Sequence, residues 1–172
     1  MIFEILKYTL PALIVLLGTF LVLNSEHGSE HRRRLLEQRS QDRKTTLPLQ
    51  LRGYERLTIF LERITPEHLL LDRDLSALTP TELQRQLLLT IRMEFDHNAA
   101  QQLYVSDEAW AKVVNAKEEM MRYVNTLMSR LPKDATTLQM AQALIETYHL
   151  NGETPVQIAL KQLRFEVHEI VG

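Results

Sequence analysis

No cysteine occurs among the 172 residues, and glycine occurs only five times. Without thiols there is no disulfide framework, thiolate zinc site, cysteine-ligated iron-sulfur cluster, covalent c-type haem or cysteine nucleophile. The glycines stand at 18, 28, 53, 152 and 172. That scatter excludes phosphate-cradling loops, dinucleotide fingerprints and the glycine-flanked serine elbow, which all need closely spaced glycines. Between Tyr54 and Asn151 there is no glycine, and alternating β-branched runs are missing too. Turn-dense β architectures draw on glycine for positive φ, so the expected fold class is all-α.

Charge of one sign is scarce only on average. The formal net charge is -2, yet residues 1–25 carry one Glu and one Lys, residues 26–44 six basic against four acidic side chains, and residues 45–172 thirteen against seventeen. From Ile2 to Leu23 the chain is apolar, with charge only at Glu4 and Lys7. Spanning hydrocarbon takes about 20 residues at about 1.5 Å each, so the run is long enough if helical. It passes into Val22-Leu23-Asn24-Ser25 without the small-residue pattern a signal peptidase reads, which favours an uncleaved anchor. The basic cluster Arg32, Arg33, Arg34, Arg39, Arg43 and Lys44 follows directly, and basic residues next to a span stay cytoplasmic. The expectation is a single-pass protein of the inner membrane, N-terminus out and C-terminal domain in the cytoplasm. The cluster would meet anionic headgroups at about 1 kcal/mol per basic residue. Nucleic acid is disfavoured as a partner because the remainder of the chain is net acidic. Three segments follow: a transmembrane anchor over 1–24, a basic juxtamembrane stalk over 25–48, and a helical domain over 49–172.

Helix starts are well marked in that domain. Thr65-Pro66, Thr79-Pro80 and Thr154-Pro155 each put a capping hydroxyl before a proline whose missing N–H is harmless at the first helical position. Ser106-Asp107-Glu108 is a fourth start, and Asp134 after Pro132 a fifth. Apolar residues then recur every three or four positions: Tyr54, Leu57, Leu61 and Ile64; Leu83, Leu87 and Ile91; Trp110, Val113, Lys117, Met120, Met121, Val124, Met128 and Leu131; Leu138, Ala141, Ile145 and Tyr148; Val156, Ala159, Leu160, Leu163, Val167 and Ile170. One buried face per helix predicts a bundle of about five helices.

Glu-x-x-His occurs twice, at Glu94-Phe95-Asp96-His97 and Glu146-Thr147-Tyr148-His149. Di-iron bundles use that pair on two helices and a single Glu on two others, and Glu62 with Glu118 or Glu119 stand in suitable order. At roughly 100° per residue, however, Glu62, Glu118 and Glu119 fall outside their apolar stripes, and Glu146 falls on a flank. No di-iron centre is expected. The first pair differs. The stripe Leu83, Leu87, Ile91 continues as Glu94, Asn98 and Gln101 with His97 alongside, a polar patch aimed where a core or partner should be. It reads as an internal hydrogen-bond network, an interface patch, or half of a small-molecule or metal site, with Glu94 and His97 the candidate ligands. The histidines His68, His97, His149 and His168 coexist with Ser and Asp, but no strand-turn-helix context presents a nucleophile, so no catalytic residue is assigned. His27 and His31, with Glu26 and Glu30, read as a solvated juxtamembrane segment. Ile158 and Phe165 lie almost opposite the last stripe, as a partner contact or under a neighbouring helix.

The stretches Arg52-Gly53-Tyr54-Glu55-Arg56-Leu57, Phe60-Leu61-Glu62-Arg63-Ile64, Glu94-Phe95-Asp96-His97-Asn98, Gln101-Gln102-Leu103-Tyr104 and Ala109-Trp110 resemble a family of small single-pass membrane proteins of uncharacterised function from Bacteroidetes-type bacteria. The likeness covers most of the chain. It implies a bacterial inner-membrane setting and brings no activity, cofactor or partner with it. The expected function is that of a membrane-tethered, non-enzymatic interaction or scaffold protein without cofactor, whose helical domain docks a protein partner or self-associates beside the bilayer. The alternative is a ligand- or metal-binding bundle, oxidoreductase-like, using Glu94 and His97.

Overall fold

The computed structural model describes residues 13–20, 44–71, 73–148, 150 and 152–172. Among the described residues every regular element is a helix and no strand occurs. Contacts divide the chain into two units, Met1–Leu47 and Pro48–Gly172.

In the first unit residues 13–20 are helical and exposed, and Thr19 Oγ1 donates to the Val15 carbonyl at 2.8 Å. Among the described residues no helix is long and apolar enough to cross a membrane. Residues 1–12 and 21–24 of the expected anchor, and 25–43 of the expected stalk, lie outside the described residues; of the basic cluster only Lys44 is described, helical and exposed.

The second unit is built from α1 (helical over 44–63, of which 48–63 belong here), α2 (Pro66–Leu70), α3 (Pro80–Asn98), α4 (Asp107–Arg130), α5 (Thr137–Tyr148) and α6 (Pro155–Val171), with single 3-10 turns at Leu75–Ala77 and Ala99–Leu103. Five of these helices are long, as the apolar periodicity predicts. Helix α4 packs against α3, α5 and α6, while α5 also meets α2 and α3. Helix α1 reaches α3 through Phe60 and Phe95 and reaches α6 through Tyr54 and Glu166. The core between them holds Leu57, Phe60, Leu61 and Ile64, then Leu83, Leu87 and Ile91, then Val113, Met120 and Val124, closed by Met140, Leu144, Ala159 and Leu163. Each fully buried Leu, Ile or Phe contributes about 1.5–3 kcal/mol.

Three expected helix starts carry side-chain caps. Thr79 with Glu82, and Thr154 with Gln157, form reciprocal capping boxes, and Ser106 accepts the Ala109 amide. Thr65 precedes α2 without a side-chain cap.

Two expectations are corrected. Helix α5 starts not at Asp134 but after Thr136, whose hydroxyl accepts the Gln139 amide while Gln139 Oε1 accepts the Thr136 amide. Its inner face is Thr137, Met140, Ala141, Leu144 and Tyr148, whereas Leu138 is 65 % exposed and Ile145 is exposed too. Burial of Met140 and Leu144 together fixes this phase, which carries Thr137 inward, where its hydroxyl donates to the Leu78 carbonyl.

Candidate functional site

The polar patch of α3 comes apart into different environments. Glu94 is half-buried and accepts Arg63 Nη1 from α1 with both oxygens, at 3.3 and 3.2 Å. The side chains of that pair are 59 % and 25 % exposed for Arg63 and Glu94, so water screens it and it contributes at most about 1 kcal/mol. Asn98 is buried and donates from Nδ2 to the Glu94 carbonyl at 2.8 Å, closing the last turn of α3. His97 is exposed. Gln101 is not on α3 at all: the α-helix ends at Asn98 and the chain tightens into the 3-10 turn Ala99–Leu103, which breaks the 100° phase that would align Gln101 with Glu94. Among the described residues no three His, Asp or Glu side chains come together as metal ligands. Glu62, Glu118 and Glu146 are exposed, and His149 lies outside the described residues.

Beside this patch stands an aromatic ladder. Phe60 meets Phe95 edge-on at 5.8 Å, Phe95 stacks on Trp110 at 5.4 Å, and Lys117 Nζ sits 4.4 Å from the Phe95 centroid. Such ring pairs add about 0.5–1.5 kcal/mol beyond the area they bury. The ladder explains why Lys117 falls in an otherwise apolar stripe: its stem is sheltered and its ammonium lies over a π face. Gly53 is required nearby, since a Cβ there would come within 2.8 Å of Tyr104 Cβ.

Sequence reasoning missed the buried carboxylate that ties α6 to α1 and α4. Glu166, buried on the inner face of α6, accepts Tyr54 Oη at 2.8 Å, Ser106 Oγ, and Gln162 Nε2 at 2.8 Å. Gln162 in turn accepts Lys112 Nζ, so one network joins α1, α4 and α6. Burial pushes the Glu166 carboxyl up, but the bonds from Gln162, Ser106 and Tyr54 outweigh it and hold the group below its ordinary range. Burial, and then the bond to Glu166, push the Tyr54 phenol well above its ordinary range, which agrees with an ionised carboxylate beside it. The available signal was spacing: Glu166 follows Leu163 by three and Ala159 by seven, on the buried stripe. The bonds from Tyr54, Ser106 and Lys112 join helices, while the Gln162–Glu166 bond lies within α6 and orients the carboxylate.

With the geometry in view, residues 1–170 match the model of a family described as a family of unknown function (DUF7935). The chain belongs to that family. No curated protein and no solved structure matches it. Residues of the stretches quoted above meet one another in the fold: Gly53 lies against Tyr104, Phe60 against Phe95, and Phe95 against Trp110.

The outer surface carries the remaining candidates. Ile158 and Phe165 are 41 % and 59 % exposed, so no neighbouring helix of the described residues covers them. On α1, Arg52, Glu55, Arg56, Ile59 and Arg63, with His97 of α3, line a groove of about 510 Å³. A smaller cavity of about 270 Å³ lies where α4 meets the start of α6, lined by Met120, Tyr123, Tyr148 and Thr154 among others.

Proposed function

We propose that this chain is a non-enzymatic, single-pass protein of the bacterial inner membrane whose helical unit, held on the cytoplasmic side, docks a protein partner or a second copy of itself. The observation that carries the reading is the second apolar face of α6, where Phe165 and Ile158 stand exposed seven residues apart while Val156, Ala159 and Leu163 are buried. Covering one such large apolar side chain is worth about 1.5–3 kcal/mol, and a helix with a second apolar face generally contacts something more. The anchor part of the proposal is supported by the apolar run from Ile2 to Leu23 and by the exposure of Leu13, Ile14, Val15, Leu16, Leu17 and Phe20 on the described helical stretch, side chains that suit a lipid surround. The orientation rests on the basic cluster from Arg32 to Lys44. An anchor would also confine the unit to the bilayer surface and raise its effective concentration for neighbours there.

Affinity purification of the full chain from detergent-solubilised membranes tests this, with Phe165→Glu in parallel. The expected result is a stoichiometric protein partner or a dimer with the native chain, lost in the variant while the melting temperature stays the same. A monomer that brings down no protein, or one loaded with a metal or small molecule, would overturn it.

A further inference from the structure

The face of α1 turned away from the core reads Leu49, Arg52, Arg56, Ile59 and Arg63, alternating steps of three and four, and all five residues are exposed. The spacing is that of a coiled-coil seam, but three of the five positions are arginines. Arg52 and Arg56 make no ion pair or hydrogen bond among the described residues, and Arg63 gives only Nη1 to Glu94. Of the residues lining the groove, Glu55 is acidic and Arg52, Arg56 and Arg63 are basic, so the groove is net positive even with His97 neutral.

Length decides what it can hold. Arg52 and Arg63 are separated by about 16 Å along the helix at 1.5 Å per residue, several times the reach of a single phosphate or carboxylate. The occupant is therefore extended. Ile59, 44 % exposed in the middle of the basic run, offers an apolar contact between the arginines, which a protein side chain fits better than a row of phosphates. His97 rises from α3 as a side wall, so the surface is concave, whereas a headgroup plane is flat. We infer that the α1 groove takes an acidic amphipathic helix of a partner protein, its Asp or Glu side chains spaced three and four apart against Arg52, Arg56 and Arg63 and one apolar residue against Ile59. The inference rests on the docking function proposed above and names the partner's chemistry.

The test replaces Ile59 in the full chain with the photoreactive p-benzoylphenylalanine, irradiates native membranes and sequences the adducts by mass spectrometry, alone and combined with Arg52→Glu/Arg56→Glu or Arg52→Lys/Arg56→Lys. The expected adduct is a protein segment with acidic residues three and four apart beside an apolar one, its yield falling about tenfold or more on charge reversal and persisting with lysines. Both arginines are exposed, so melting temperatures should not move. Adducts to lipid, to nucleic acid or to a segment without that acidic spacing would overturn the inference, as would a yield indifferent to charge reversal. If affinity purification recovers a partner but position 59 never reaches it, docking stands and this groove is excluded. If no partner is recovered, the docking reading itself falls.

Discussion

Glu166 shows how much one side chain can determine in a small bundle. It draws hydroxyls from α1 and from the cap of α4 onto α6. A carboxylate accepts from Tyr54, Ser106 and Gln162 together, whereas a glutamine offers a single acceptor oxygen and adds two donors. Glu166→Gln should therefore leave at least one buried hydroxyl poorly paired and lower stability by about 1–3 kcal/mol, measured by chemical denaturation. Stability equal to the native chain would mean the network ties nothing together. The pH dependence has a definite sign. The native carboxyl titrates below the ordinary glutamate value of 4.5, so its contribution is complete above that value and is lost as pH falls through the lower native one. The gap between the native chain and Glu166→Gln should shrink in acid, and a gap that widens there would contradict the assignment. Apolar periodicity passes over such a residue because it credits a carboxylate to the outer face, and takes Val167 in its place. Gly53 was hidden for another reason: the side chain that forbids a Cβ belongs to Tyr104, far along the sequence, and no local signal announces it.

At the level of the helices, the punctuation is legible and the phase less so. Threonine before proline marks α2, α3 and α6 correctly because the first-turn N–H groups need acceptors and proline needs none. The caps nevertheless differ in what they hold. Thr79→Ala and Thr154→Ala each remove a reciprocal box and should cost about 1 kcal/mol. Thr65→Ala removes no cap bond, only a hydroxyl donated to the Glu62 carbonyl and paired with His68 on an exposed surface, and should cost a few tenths of that by the same reasoning. Thermal melts of the three variants check the order; equal losses would refute it. The phase error in α5 arose from counting Leu138 as inward and Thr137 as outward. Met140 and Leu144, both fully buried, set the phase instead, and the Thr137 hydroxyl carried inward finds its acceptor at Leu78, far from α5 in sequence. Gln101 was misplaced for a related reason, since the switch from α to 3-10 winding after Asn98 follows no glycine or proline.

At the scale of the chain, the all-helical class and the five long helices were readable from missing glycine and from periods of three and four. The network that joins those helices was not, because it depends on pairs far apart in sequence. The buried side chains of the core all belong to residues 54–163, inside the unit Pro48–Gly172. That unit should therefore keep its helix content and melting temperature when produced without residues 1–47. If the apolar run is an anchor, the full chain will remain in the membrane pellet through an alkaline carbonate wash and the shortened chain will leave it. A full chain released by the wash would remove the anchor from the proposal, and a shortened chain that fails to fold would show that residues 1–47 supply part of the core.

The ladder at the α1–α3–α4 junction has one more consequence. Trp110 is the single tryptophan of the chain, and it stacks on Phe95, which in turn lies under the Lys117 ammonium. Intrinsic indole emission is therefore a local optical reporter, sensitive to whether α3 stays seated on α4 and indifferent to the loosening of α5. Any event that pries that one junction apart, through the neighbouring groove or from within, will register in the light the protein emits before it registers in its helix content.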